Sequence, residues 1–139
     1  MNGQPKITSG EARTGNGQSK PTHPKSDLAA RTKAFALRII RLYCLLPRTT
    51  VAQVLGKQLL RSGTSVGAHY REARRARSTL EFVSKVEGGL QELEETAYWL
   101  ELLEETNLSA HAVTHELLSE TEELTSIFVS SAKTAKKSA

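Results

Sequence analysis

Histidines and paired glutamates are the residues of this sequence that could do acid–base or metal chemistry. His111 and His115 are four positions apart, so on a helix they share a face that could hold a metal ion. They lack the glutamate of an H-E-x-x-H motif and an evident third ligand, which favours surface histidines near the start of a helix. Glu92 with Glu95 suggests a di-iron bundle, but such bundles require Glu-x-x-His motifs, and the chain has none. We therefore expect no catalytic residues, no metal site, no cofactor and no enzymatic activity.

The stretch LLRSGTSVGAHYREARRARS, at residues 59–78, combines glycines with arginines. A phosphate-binding loop would need G-x-x-x-x-G-K-[ST] between a strand and a helix, and this stretch has neither the spacing nor a strand. Glycine within a helix costs about 1 kcal/mol relative to alanine. Close approach of a second helix is the compensation that a row of small residues permits. The residues predicted for helix packing or an oligomer interface are Gly56, Gly63, Gly67, Tyr70, Tyr98 and Trp99.

Positive charge is concentrated in the first half of the chain. Residues 1–77 contain 15 Lys/Arg and 3 Asp/Glu, whereas residues 78–139 contain 4 and 12. Glu72 is the only acidic residue between Asp27 and Ser78, although a helix face that is merely exposed to solvent normally carries charges of both signs. The pattern predicts an RNA- or DNA-binding surface on the first two helices. Its candidate residues are Arg38, Arg41, Lys57, Arg61, Arg71, Arg74, Arg75 and Arg77.

A stripe of acidic residues leaves other roles open for these arginines. Glu87, Glu94, Glu101 and Glu105 share one face of the predicted third helix with Gln91 and Tyr98. The basic and acidic stripes could pair within the chain, join subunits, or form two separate surfaces. The alternative to nucleic-acid binding is thus a scaffold or assembly protein whose arginines contact subunits or a protein partner.

The elements that position these residues are predicted to be helices. Residues 1–27 are rich in small and polar residues and are predicted to form a disordered, basic tail. Beyond them, apolar residues recur at steps of three and four, which predicts helices at about 28–46, 51–76, 79–106 and 110–136. Short connections place consecutive helices antiparallel. The predicted fold at residues 28–137 is all-α, an antiparallel up-down-up-down four-helix bundle.

Several local signals support these bounds and the expected compartment. Thr50 with Gln53, and Ser78 with Glu81, have the spacing of capping boxes at the second and third helices. Cys44 is the sole cysteine, which predicts a core thiol in a reducing compartment. No apolar run approaches the roughly 18–20 residues of a membrane span, and no secretory signal is evident. We therefore expect a cytoplasmic protein.

The sequence resembles the four helix bundle protein family, also called the 23S rRNA intervening-sequence protein family. The likeness covers about residues 28–137 and includes RTKAFAL (31–37), LGKQLLRSGTSVGA (55–68), YREA (70–73), ARS (76–78) and ETAYWL (95–100). It implies an antiparallel four-helix bundle that assembles into a homopentameric barrel, and it implies no catalytic residues. Some members are encoded within insertions in 23S rRNA genes. A distant relative, the accessory protein of diversity-generating retroelements, is a basic pentamer that binds nucleic acid and a reverse transcriptase.

One departure from the family pattern lies within the predicted third helix. Gly88 and Gly89 stand where a better helix-forming residue is expected. The pair is predicted either to loosen the middle of this helix or to admit a bulky neighbour, such as Trp99 of another subunit.

Overall fold

Four helices account for nearly all of the described chain. The computed structural model describes residues 24–138, and side chains from residue 28 onward. The helices are α1 (Pro24–Leu45), α2 (Thr50–Arg74), α3 (Thr79–Glu105) and α4 (His111–Ser138), with no strand among the described residues. The predicted all-α class with four helices is therefore confirmed.

The helix ends lie within two residues of their predicted positions, with one exception. α1 begins at Pro24, four residues before the predicted start, and proline is well suited to the first turn because it has no N–H to satisfy there. The predicted tail at residues 1–27 otherwise lies outside the described residues.

Side-chain caps begin the two central helices. Thr49, not Thr50, caps α2, and its hydroxyl accepts from the Ala52 N–H at 3.2 Å. Ser78 caps α3 as predicted, accepting from the Glu81 N–H at 3.0 Å.

The end of α3 is a Schellman motif centred on Asn107, whose φ of 58° is left-handed. The Leu108 N–H donates to the Leu103 carbonyl and the Asn107 N–H to the Glu104 carbonyl, both at 3.0 Å. Asparagine tolerates this conformation better than other residues with a side chain, which explains why the helix ends here.

Each helix packs antiparallel on the next, and α4 returns to α1. Between α1 and α2, Ile39 lies against Gly63 and Thr32 against Gly67, so residue numbers rise along one helix as they fall along the other. The same holds between α2 and α3, where Arg61 reaches Glu92 and Glu72 reaches Lys85. The backbones of the diagonal pairs, α1 with α3 and α2 with α4, lie farther apart than those of neighbouring helices. This arrangement is a four-helix bundle with up-down-up-down connectivity.

The core lies between the four helices and follows the predicted periodicity closely. Phe35, Ile39 and Leu42 of α1, and Leu46 directly after it, are buried. The remaining large buried side chains include Leu59, Val66, Leu93, Leu100, Leu117, Leu124 and Phe128.

One sequence expectation about the core was wrong. Cys44 is exposed rather than in the core, because its position between Leu42 and Leu46 turns it to the outer surface of α1. Near the start of α4, Val113 is exposed and Thr114 takes the buried position.

Candidate functional site

The glycines of α2 lie against α1 of the same chain. A Cβ added to Gly63 would lie 2.8 Å from Ile39 Cγ1, and one added to Gly56 would lie 2.7 Å from Leu46 Cδ1. Gly67 faces Thr32, whose hydroxyl would be 3.1 Å from an added Cβ. The glycine row therefore permits the close approach of two helices within one bundle. This packing offsets the destabilisation that glycine causes within α2.

The glycine pair of α3 also has neighbours within the chain. An added Cβ would lie 2.5 Å from Phe128 Cε2 at Gly89, and 3.1 Å from His69 Cε1 at Gly88. The pair admits bulky neighbours, as one of the two predictions stated, but these are Phe128 of α4 and His69 of α2. The expectation of a helix loosened at this point was wrong, because α3 is continuous through both glycines.

Of the predicted interface aromatics, Tyr70 is buried within its own chain. Its ring lies 6.0 Å from that of Phe128, centroid to centroid, and 2% of the residue is exposed. Burial raises the pKa of Tyr70, and the positive charge of Arg74 partly offsets this effect. Tyr98 is 54% exposed and stacks at a tilt on Trp99, with centroids 5.0 Å apart. Of the six residues predicted for helix packing or an oligomer interface, only Tyr98 and Trp99 thus keep exposed surface that another molecule could contact.

Two of the arginines predicted to bind nucleic acid have carboxylate partners within the bundle. Arg61 donates to Glu92 at 3.2 Å and also pairs with Glu95. Burial is the largest single influence on Arg61 and opposes its charge, but the hydrogen bonds and charges of the two carboxylates together outweigh it and raise the pKa of Arg61. Arg38 lies 3.7 Å from Glu116 of α4. These two arginines are therefore paired within the chain, but with Glu92, Glu95 and Glu116 and not with the acidic stripe singled out from the sequence.

The pairing of Arg61 is part of a longer row of charges between α2 and α3. His69 lies between two carboxylates, with Nδ1 3.3 Å from Glu72 and Nε2 3.7 Å from Glu92. Glu72 lies in turn 3.5 Å from Lys85. The row neutralises much of the facing charge on these helices, so the middle of the bundle is not a strongly positive surface.

The four remaining arginines of the stretch at residues 59–78 lie together where α2 ends and α3 begins. Arg71, Arg74, Arg75 and Arg77 are exposed, and none forms an ion pair with a described carboxylate. Because the helices are antiparallel, the C-terminus of α4 lies at the same end of the bundle, as the 3.0 Å contact of Lys136 with Glu87 shows. Exposed lysines without an ion-pair partner in the described chain thereby join the arginines. We call the following set the basic end: Arg71, Arg74, Arg75, Arg77, Lys133 and Lys137.

Arg71, Arg74 and Lys137 lie in the last turns of their own helices, where the partial negative charge of a helix C-terminus stabilises cations. The N-termini of α1 and α3 lie at the same end and carry the opposite partial charge. α1 begins at the same end, so residues 1–23, which contain Lys6, Arg13 and Lys20, join the bundle there. Sequence reasoning placed the basic surface on α1 and α2 and missed the lysines of α4, because the contribution of α4 depends on the antiparallel packing.

The other two candidates, Arg41 and Lys57, lie away from the basic end. Arg41 is near the C-terminus of α1 and Lys57 near the N-terminus of α2, and both are exposed without an ion pair in the described part of the chain. The eight predicted residues therefore form three groups: four at the basic end, two with internal partners and two toward the opposite end.

The histidines of α4 face a carboxylate of α3. His111 Nδ1 contacts Glu104, and the His111 and His115 rings stack at 5.8 Å. Among the described residues, no group of three or more His, Cys, Asp or Glu side chains is arranged to hold a metal ion. None of the described helices combines the length and apolar character needed to cross a membrane.

The structure and the comparisons together define the class of this protein. It is an all-α antiparallel four-helix bundle in which exposed cations collect at one end. The model of the family described as 23S rRNA-intervening sequence protein matches residues 25–130, so the chain belongs to that family.

A solved structure supports the same assignment. A protein of unknown function from the S23 ribosomal protein family of Bacteroides thetaiotaomicron VPI-5482 is 36% identical to this chain. The match covers 78% of this chain and 97% of the other, with a TM-score of 0.74. No curated protein matches the chain.

Proposed function

We propose that this protein is a non-enzymatic, homo-oligomeric bundle that binds RNA or DNA through its basic end. The observation that carries the proposal is the set of six exposed cations without carboxylate partners among the described residues at that end. Cations of this kind neutralise phosphates and release condensed counterions, which makes binding strongly salt-dependent. Family membership supports a role connected with ribosomal RNA genes.

The exposed residues of the basic end also bear on the proposed mode of binding. Tyr98 is an exposed aromatic residue, but it lies on α3 far from the first turn of that helix. No described aromatic residue at the basic end is exposed. Base stacking, which dominates many single-strand interfaces, is therefore not available from the described residues of the basic end. We expect contacts with the phosphate backbone and little sequence preference.

Assembly into a homo-oligomer would strengthen such binding, since each copy presents one weak site and several sites act together. Five copies are favoured by the family resemblance. A nucleic-acid-processing protein such as a reverse transcriptase is a second expected partner, on the distant resemblance alone. The alternative function, a protein scaffold, is favoured by the exposed apolar side chains on α1 and α2.

Replacing Arg71, Arg74 and Arg75 with glutamine tests the binding site. Fluorescence anisotropy of a short RNA and a short DNA at several salt concentrations measures the slope of log affinity against log salt. We expect the slope of the triple variant to fall by about 2–3, since each lost phosphate contact removes roughly 0.7–0.9. Light scattering and circular dichroism should show an unchanged oligomer and helicity.

A matched triple variant, with Arg38, Lys57 and Arg61 changed to glutamine, removes the same charge elsewhere. We expect this control to keep most of the wild-type slope. An equal loss in both variants would show that net charge, and not the basic end, drives binding. If the wild-type protein binds neither nucleic acid at low salt, the scaffold function is supported instead.

A further inference from the structure

Leu80 is an apolar side chain at the basic end of the bundle. It lies in the first turn of α3 and is 82% exposed, more than any other of the exposed large apolar residues. An isolated exposed leucine is common on protein surfaces and by itself needs no explanation. The position of Leu80 relative to the cations of the basic end is what distinguishes it from the other exposed apolar residues.

Leu80 lies between the two groups of cations that form the basic end. α3 packs against α2, which carries arginines, and against α4, which carries lysines, whereas α2 and α4 are diagonal to each other. Leu80 and Glu87 are seven positions apart and share one face of α3, and Lys136 of α4 reaches Glu87 at 3.0 Å. Leu80 therefore lies on the α4 side of α3, about 10 Å beyond Glu87 toward the end of the bundle.

Two hydrogen bonds hold the start of α3 in place. Ser78 accepts from the Glu81 N–H at 3.0 Å, and the Glu81 carboxylate accepts from the Arg77 N–H at 3.2 Å. These bonds fix the direction in which the chain enters α3, and thus the position of Leu80 relative to Arg77. A side chain on a backbone that is already ordered costs less conformational entropy when it binds a partner.

The basic end suits a duplex better than a single strand. Proteins that bind single strands without sequence preference combine a basic groove with aromatic side chains on which the bases stack. No described aromatic residue is exposed at the basic end. Leucine offers no ring for stacking, but an apolar side chain of its size can enter the minor groove of a duplex.

Among duplexes, A-form RNA has the groove that a single leucine can reach. Its minor groove is wide and shallow and displays 2′-hydroxyls and base edges beside the phosphates. The minor groove of B-form DNA is only about 6 Å wide, and an apolar side chain that inserts there must unstack base pairs. The major groove of DNA admits a whole helix, whereas the basic end presents helix termini.

We propose that the basic end binds double-stranded RNA, with Leu80 in the minor groove and the arginines and lysines on the phosphates at either side. The inference rests on the proposed binding of nucleic acid and identifies the kind of nucleic acid that this site takes. Leu80 contributes to affinity without contributing to its salt dependence, because covering apolar surface releases no condensed counterions.

Leu80→Ala tests the inference by separating the apolar contribution from that of the cations. Fluorescence anisotropy compares a short RNA duplex, a DNA duplex of the same sequence and the single RNA strand, each at several salt concentrations. We expect the wild type to bind the RNA duplex most tightly. Leu80→Ala should weaken this binding about fivefold at every salt concentration, through the loss of covered apolar surface, and should leave the salt slope unchanged.

Two further variants serve as controls. Leu80→Met keeps an apolar side chain of similar volume and should bind the RNA duplex as the wild type does. Val113→Ala alters an exposed apolar residue in the first turn of α4, at the opposite end of the bundle, and should also bind normally. Thermal unfolding followed by circular dichroism should show one midpoint for all these proteins, because neither Leu80 nor Val113 is buried.

The outcomes separate this inference from the proposed function. A wild-type protein that binds none of the three nucleic acids at low salt would overturn both. Salt-dependent binding by the wild type would leave the proposed function standing, but tighter binding of the single strand or the DNA duplex would overturn the inference. Unchanged binding by Leu80→Ala, or an equal loss in Leu80→Ala and Leu80→Met, would overturn it as well.

Discussion

Single residues determine how closely α1 approaches α2. Gly63 has Ile39 directly above it, and a Cβ there would be 2.8 and 2.9 Å from two of the Ile39 side-chain carbons. Both residues are buried, so neither side chain can turn toward solvent. The contact is therefore sensitive to the volume of one methyl group, as expected of a densely packed interior.

Gly63→Leu should lower the thermal midpoint of unfolding. The added side chain forces α1 away from α2, and overpacking of this kind costs about 1–3 kcal/mol. Thermal unfolding followed by circular dichroism measures the effect. Ala68→Leu, five positions along the same helix and exposed, is the matched control and should change stability by no more than about 0.5 kcal/mol. Equal midpoints for Gly63→Leu and the wild type would contradict the close approach of the two helices.

The four helices differ in the extent of their contacts with neighbouring helices. α1 meets α4 along a shorter contact than that of any other neighbouring pair. Arg31 reinforces it by donating to Glu120 at 2.9 Å and to Glu123 at 2.5 Å. Hydrogen bonds to Glu120 and to Glu123 raise the pKa of Arg31 and so favour its charged form.

Arg31→Leu should increase the local opening of α1. Loss of these partly exposed ion pairs costs about 1 kcal/mol at most, which corresponds to roughly fivefold faster exchange. Hydrogen exchange of the α1 amides measures the opening, with the α2 and α3 amides as internal reference.

Lys136→Leu removes a comparable exposed pair, the one with Glu87, and should leave exchange in α1 unchanged. If both variants accelerate α1 equally, the effect is global destabilisation, and Arg31 has no special role at the α1–α4 contact.

At the scale of the whole molecule, charge is sorted along the length of the bundle. The basic end unites residues of α2, the α2–α3 turn and α4, while the α3 glutamates Glu101 and Glu105 lie toward the opposite end. Folding thus converts a chain that is basic in its first half into a bundle that is basic at one end. The buried core needed for this arrangement extends from Leu28 to Ala132.

A chain that begins at residue 24 should therefore unfold at the same temperature as the full chain. Its binding of RNA at low salt should weaken modestly, because Lys6, Arg13 and Lys20 are lost with Glu11. Thermal unfolding and the anisotropy titration measure the two effects separately. A large fall in the midpoint would show that residues 1–23 contribute to the fold.

The sequence by itself determined the helices and most of the core. The recurrence of apolar residues at steps of three and four, and the spacing of Ser78 and Glu81, are local signals that can be read without knowing the packing. The tertiary structure decided which side chains contact each other between helices. Gly89 accepts Phe128, Arg61 reaches Glu92, and Thr96, buried in the core, donates to Ser62 at 2.9 Å.

These pairs lie on different helices, 31 to 39 positions apart along the chain. The register of one helix against another depends on how all their side chains fit at once, and no short pattern specifies it. For the same reason the sequence showed which residues were basic but not which would be neutralised: Arg38 and Arg61 find carboxylates, whereas Arg71 and Arg75 remain exposed with the lysines of α4.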